Sequence, residues 1–203
     1  MIFDHDGTLV DSEPITLTLL AEMAIEYGAT VHEDDYERFK GAELKVVLTE
    51  IEQRRGKRLP SDFLHILRER QAERIRAGLE AMPGADELLR ALQLPAAVAS
   101  NAPVAKMQLC LGATGLDQYF TNEQLVSAYD VGEWKPQPGV FLAAAAVLDI
   151  APERCAVVED SAPGIAGAIA AGMTVFALDP HGEFGAIDGA TTISGLPELL
   201  EHL

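Results

Sequence analysis

Residues 155–178 read CAVVEDSAPGIAGAIAAGMTVFAL. The stretch divides into three parts. CAVVED is a short apolar run that ends in two carboxylates, Glu159 and Asp160. APGIAGAIAAG has helical character and stops at Gly172. MTVFAL is a second apolar run of strand length. Strand, helix, strand is the unit of a parallel sheet. Charged groups at the end of a buried strand are costly unless something uses them.

The same alternation extends outward. AAVAS (96–100) and EQLVSA (123–128) read as strands, and TTI (191–193) as a last short one. PVAKMQLCLGATG (103–115) and the Ala-rich PGVFLAAAAVLDI (138–150) read as helices between them. At the other end of the chain, Met1-Ile2-Phe3 runs directly into DHDGTLVDSE. That apolar run is short for a central strand, which raises the expectation of residues upstream of Met1. Residues 14–82 are different: helical spacing of Leu17, Leu20, Met23, Ala24 and Tyr27, a short acidic helix in 32–41, and two amphipathic helices with Pro60 and Ser61 at the start of the last. The predicted fold class is α/β: a doubly wound parallel-sheet core in residues 1–13 plus 83–203, with an inserted all-α domain in 14–82.

Composition sets bounds on function. With 203 residues and 48% hydrophobic content the chain can bury one good core or two small ones. Its net charge of -17 repels nucleic acid and anionic membranes, so neither is an expected partner. An anion site must then be built from local positive groups. Cys110 and Cys155 lie in apolar patterns and read as buried thiols. No apolar stretch reaches membrane-spanning length, and a cytoplasmic location is expected.

In parallel α/β sheets, ligands bind beyond the carboxyl ends of the strands. Asp4 and Asp6 stand there after the first strand, Ser100 and Asn101 after AAVAS, and Glu159 and Asp160 after CAVVED; Lys135 follows EQLVSA in EWKPQP. Each has a dull explanation alone: a turn, a helix cap, a solvated loop, a helix entry. Their convergence on one edge does not. Gly7 falls at the fourth position from Asp4, where a calcium loop of the EF-hand type needs glycine at the sixth. A Walker loop, a dinucleotide fingerprint and a serine nucleophile elbow are also missing.

These residue types fit metal-assisted phosphoryl transfer. Asp4 is the nucleophile, already ionised at neutral pH and in need only of shielding from an anionic phosphate. Mg2+ held by hard carboxylate oxygens supplies that shielding, with Asp4 and Asp160 as direct ligands and Glu159 nearby or through water. Lys135 adds a second positive charge on Asp4 and the phosphoryl group. Ser100, Asn101 and the backbone amides around Gly7 hold phosphoryl oxygens. Asp6 is the general acid and then base, its proton affinity raised by neighbouring anions.

DHDGTLVDSE, VASN, WKPQP and VVEDSAPGIAGAIAAG resemble, in order and spacing, the four motifs of the haloacid dehalogenase-like hydrolases. The resemblance covers the whole core and implies the nucleophile, acid–base and Mg2+ roles above. It adds the backbone carbonyl of Asp6 as a metal ligand and identifies 14–82 as a C1 cap that closes over the site. An aspartate at position 6 is what phosphatases and phosphomutases of the family have and dehalogenases lack. RFKGAELKVVL (38–48) is similar to the mutase and sugar-phosphatase branch, which implies that Lys40, with Arg38 beside it, faces the substrate. Where the mutase has an arginine, this chain has Leu44. SNAPVAKMQ, YDVGEWKPQP and LDPHGE are similar to the bacterial phosphatases of 6-phosphogluconate.

The expected function is thus a Mg2+-dependent phosphatase, monomeric, acting on a small phosphate ester such as a sugar phosphate. A phosphomutase of the same chemistry and a non-catalytic phosphometabolite-binding module are the alternatives. An extended segment turns His5 away from Asp4 and Asp6. Lys106 reads as an exposed lysine, Trp134 as packing, and His181 carries no assigned role.

Overall fold

The computed structural model of the chain describes residues 1–39 and 44–202. It divides into two compact units, one of Met1–Asp11 with Glu80–Leu203 and one of Ser12–Leu79. Along the chain come β1 (Ile2–Phe3), then α1 (Glu13–Glu26), α2 (Asp35–Phe39), α3 (Leu44–Arg55) and α4 (Phe63–Gly78) of the second unit. The first unit continues with α5 (Ala85–Ala91), β2 (Ala97–Ser100), α6 (Val104–Thr114), β3 (Leu125–Ser127), α7 (Ala128–Val131) and α8 (Gly139–Val147). It ends with β4 (Ala156–Glu159), α9 (Ala162–Ala170), β5 (Thr174–Leu178) and β6 (Ala190–Ile193).

The strands form one parallel sheet in the order β3-β2-β1-β4-β5-β6. This is the doubly wound α/β architecture that the alternating pattern predicts. β1 is central although it has only two residues. Ile2 pairs with Ala97 and Val157, and Phe3 with Val98 and Val158. Both side chains are fully buried. At the usual transfer value, burying Phe3 is worth about 2–3 kcal/mol. The chain winds one way from β1 to β2 and β3, and the other way through β4, β5 and β6. Strand order therefore reverses beside β1, the place where such sheets hold ligands.

Small residues let α9 approach the sheet closely. A Cβ on Gly167 would meet the Phe141 ring and the Pro136 carbonyl at 3.1 Å. Ile165 and Ala168 of α9 pack with Phe141, Ala144 and Ala145 of α8 on strand residues Ile2, Ala97, Val157 and Val175. Both cysteines are buried, Cys155 in this cluster. No helix among the described residues is long and apolar enough to cross a membrane.

The second unit has its own core. Leu19, Leu20, Met23 and Ala24 of α1 meet Val47 and Ile51 of α3 and Phe63 and Leu67 of α4. Buried Asp35 receives the Arg54 guanidinium, with Nη2 2.7 Å from Oδ1, and the His32 amide at 2.7 Å. The Arg54 pairing outweighs desolvation and draws Asp35 down to about 2.

Two boundaries differ from expectation. Helix α4 starts at Phe63 with Asp62 as its cap, not at Pro60-Ser61. Pro60 instead accepts from the Phe63 amide in a preceding turn, and burial of Phe63 and Leu67 sets where the helix begins. The short α7 has no periodicity to announce it. The Ser127 hydroxyl accepts from the Tyr129 amide at its start, and Gly132 ends it at φ 78.

Candidate active site

Strand ends position the first residues. β1, β2 and β4 stop at Phe3, Ser100 and Glu159, so Asp4, Asn101 and Asp160 emerge on one edge. The Asp4 amide still donates to Val158 O at 2.9 Å, which fixes its backbone to the sheet. Asp4, Lys135 and Glu159 are all buried.

Lys135 arrives from the segment between α7 and α8. Asn101 Oδ1 accepts its backbone amide at 3.0 Å and so pins that segment to the end of β2. Its Nζ donates to Glu159 Oε2 at 2.6 Å and also to Asp4 Oδ1. The ammonium stands 5.0 Å from the Phe141 ring centroid, a cation–π contact that adds to its anchoring. One cation thus bridges two carboxylates delivered by β1 and β4.

Each remaining carboxylate has its own support. Glu159 Oε1 accepts from the Ser161 amide at 3.1 Å and the Ser161 hydroxyl at 2.7 Å. The Ser161 hydroxyl in turn accepts from the Gly164 amide at 3.2 Å, so one side chain caps α9 and orients Glu159. A Cβ on Gly164 would lie 2.0 Å from Glu159 Cδ. Gly164→Ala should therefore displace Glu159 and, through it, Lys135. Alanine ordinarily gains about 1 kcal/mol over glycine in a helix. Here we expect phosphatase kcat to fall on the order of 10²-fold from misplacement. Steady-state kinetics check this; an undiminished kcat would mean the close approach is not needed.

Asp160 Oδ1 accepts from the Thr8 hydroxyl at 2.9 Å. Gly7 lies beneath it at φ 88, where a Cβ would come 2.0 Å from Asp160 Oδ2. Only glycine combines that backbone with that approach. Ser100 Oγ accepts the Ala102 amide at 3.0 Å and is buried.

The electrostatics show a deficit of positive charge. Burial and the neighbouring Glu159 raise Asp4 to about 7 against the pull of Lys135. Burial, Asp4 and Glu159 likewise hold Asp160 well above the usual carboxylate range. Burial alone would lower the Lys135 pKa, but Asp4 and Glu159 outweigh it and hold it above its ordinary value. Carboxylate oxygens of Asp4, Glu159 and Asp160 lie within 4.8 Å of one another. Hard oxygen donors this close, binding protons too readily, fit a divalent cation such as Mg2+. Glu159 has both oxygens engaged by Lys135 and Ser161, so Asp4 and Asp160 are the better direct ligands.

Asp6 departs from expectation. Burial raises it, but His5 and Lys106 outweigh burial and hold it well below the usual range. The neighbouring anions expected to raise its proton affinity are not its closest partners. Lys106 Nζ donates to Asp6 Oδ1 at 2.7 Å, so this lysine is part of the site and not an exposed residue. His5 is fully buried, with Nδ1 3.2 Å from the same oxygen. The segment does not stay extended: the Leu9 and Val10 amides both donate to the His5 carbonyl. That turn removes the alternation that would have pointed His5 away. The sequence reading also passed over the supporting hydroxyls of Thr8 and Ser161. Their place within the first and fourth motifs was the available signal.

Arg38 pairs with Asp35 at 3.3 Å and Glu50 at 2.8 Å within the second unit. Lys40 lies outside the described residues. Trp134 is partly exposed and meets Tyr129 edge-on at 5.6 Å. His181 belongs to the loop after β5, whose Asp179 carboxylate accepts the Glu183 and Phe184 amides.

Known proteins share this arrangement of chain. The family model of haloacid dehalogenase-like hydrolases matches residues 1–172. A 6-phosphogluconate phosphatase of Escherichia coli is 37% identical, over 98% of this chain and 93% of that protein. Two solved structures at similar identity superpose over nearly the whole chain. One is a conserved haloacid dehalogenase-like protein of unknown function from Agrobacterium tumefaciens (32% identity, 99% and 95% of the two chains, TM-score 0.81). The other is a hydrolase of the same family from Deinococcus radiodurans with bound phosphate and sodium (31% identity, 98% and 91%, TM-score 0.77). With its motifs in order, its sheet wound the same way and a family match across most of its length, this chain belongs to the haloacid dehalogenase-like hydrolases.

Proposed function

We propose that the chain is a Mg2+-dependent phosphatase of small phosphorylated metabolites, working through a phosphoenzyme on Asp4. The observation that carries this reading is the Lys135 ammonium bridging Asp4 and Glu159, with Asp160 alongside, at the switch point of the sheet. A sugar phosphate is the preferred substrate class, and 6-phosphogluconate the first compound to test, because the Escherichia coli relative bears that name. Lys40 is proposed on sequence resemblance as a reader of the substrate's distal group. Arg38 could share that role only by leaving Asp35 and Glu50.

Asp4 attacks phosphorus, and the bond from phosphorus to the ester oxygen breaks. Asp6 gives the departing oxygen a proton that it takes up from solvent as the ester binds. An arriving dianionic ester brings negative charge beside Asp6, which strengthens its hold on that proton. A water molecule then attacks phosphorus and passes a proton to Asp6. The acyl oxygen–phosphorus bond breaks, releasing inorganic phosphate and restoring Asp4. Lys135 stays beside Asp4 throughout and offsets charge on the phosphoryl group. Bound at Asp4 and Asp160, Mg2+ would supply further charge neutralisation. The test is phosphate release from a panel of sugar phosphates with Mg2+ present; no turnover of any of them would overturn the reading.

Excess EDTA should silence the enzyme and Mg2+ restore it. Stability gives an independent readout. The native Asp4 value of about 7 lies above the ordinary aspartate value of 3.8. The native state therefore binds the proton more tightly. The stability this contributes is full below about pH 4 and is lost as pH rises through about 7. Metal ligands must also be deprotonated. The thermal shift from Mg2+ should then be larger at about pH 8 than at about pH 5.5. An equal shift at both would contradict the assignment of Asp4 as a ligand.

A further inference from the structure

A second ammonium group stands in the site, and the reaction outlined above gives it no part. Lys106 leaves the first turn of α6 and reaches Asp6 Oδ1 at 2.7 Å, joining residues 100 positions apart in sequence. Its base is anchored, because neighbouring Met107 and Cys110 one turn on are fully buried. The pair is also partly covered: side-chain exposure is 22% for Lys106 and 29% for Asp6. Exposed ion pairs between free side chains contribute little, but a charge-assisted bond of this length from a fixed helix restricts its partner. Asp6 needs such restriction. It follows the end of β1 in a turn that continues through Gly7, so the strand itself does not set its side-chain rotamer.

We propose that Lys106 is a positioning residue, whose ammonium holds the Asp6 carboxylate in the orientation from which it exchanges a proton with the leaving-group oxygen. This rests on the reading of Asp6 as the acid–base group. The consequence depends on the leaving group. An alkoxide departs poorly without a proton, whereas p-nitrophenolate departs without one. Loss of the positioning contact should slow the first step for sugar phosphates and spare p-nitrophenyl phosphate.

The experiment compares wild type with Lys106→Met, Lys106→Gln and Lys106→Arg. Rapid-quench single turnovers with Mg2+ follow leaving-group release from a hexose 6-phosphate and from p-nitrophenyl phosphate, and Tm is recorded for each protein. Met and Gln should slow the hexose phosphate on the order of 10–10²-fold at saturation with little change in half-saturation, and Arg should restore much of the rate. The p-nitrophenol burst should stay within about threefold of wild type. Equal losses on both esters, no loss on either, or an effect confined to substrate affinity would each overturn the proposal while leaving the phosphatase reading intact. A wild-type protein inert toward both esters would overturn that reading and this proposal with it.

Discussion

Asp4→Asn should abolish phosphatase turnover, by on the order of 10⁴-fold or more, and leave the protein folded. The amide nitrogen and oxygen occupy the carboxylate's space, so β1 keeps its register and the Asp4-position amide keeps its bond to Val158 O. What disappears is the carboxylate proposed as the nucleophile, which Lys135 holds at the sheet edge. Stability should not suffer. Asp4 is raised to about 7 by burial and by Glu159, which means that its charge is a strain on the metal-free fold at neutral pH. In EDTA at about pH 8 the variant's Tm should therefore match or exceed that of wild type. A Tm well below wild type would show that Asp4 holds the fold together, and residual turnover near wild type would remove it as the nucleophile.

Lys135→Met should be damaging in both respects. The unbranched methionine can follow the lysine stem past Phe141 but brings no charge. Glu159, Asp4 and Asp160 are then left facing one another within 4.8 Å. Removing one partner from a buried ion pair costs about 3–5 kcal/mol. For a chain of this size that lowers Tm by roughly 10 °C. The loss should be greatest at about pH 8 and shrink toward about pH 5.5, because the native states of Asp4 and Asp160 take up protons more readily than their unfolded forms. Activity should fall about 10²–10³-fold even with saturating Mg2+, as for removal of one charge-stabilising donor. Differential scanning calorimetry across pH, with phosphate-release kinetics, checks both; a pH-independent Tm equal to wild type would contradict this electrostatic reading.

The parts of this fold that local pattern controls were legible in the sequence. Strand-length apolar runs alternating with helices give a parallel sheet, and the strand ends carry Asp4, Ser100 and Glu159 to one edge. The family resemblance then came from four short motifs whose spacing survives without any knowledge of packing. What escaped was set by non-local geometry. The Lys106–Asp6 pair depends on how α6 lies against the end of β1, which no periodicity states. His5 escaped because β1 ends at Phe3 and the chain turns at once, with two amides converging on the His5 carbonyl. Glu159 was legible as an acidic group at a strand end, but its engagement by Lys135 and Ser161 was not. Gly164 carries no signal of its own in the sequence; the structure shows that it makes room for a carboxylate.

The central claim is the phosphoenzyme on Asp4, and it can be observed directly. Wild-type protein with Mg2+ and a phosphate-labelled sugar phosphate would be acid-quenched within one turnover, digested, and its peptides analysed by mass spectrometry. The expected result is label on the peptide carrying Asp4, appearing before free phosphate and absent from Asp4→Asn. Release of labelled phosphate at the full rate, with no label ever on that peptide, would contradict it and point to direct attack by water.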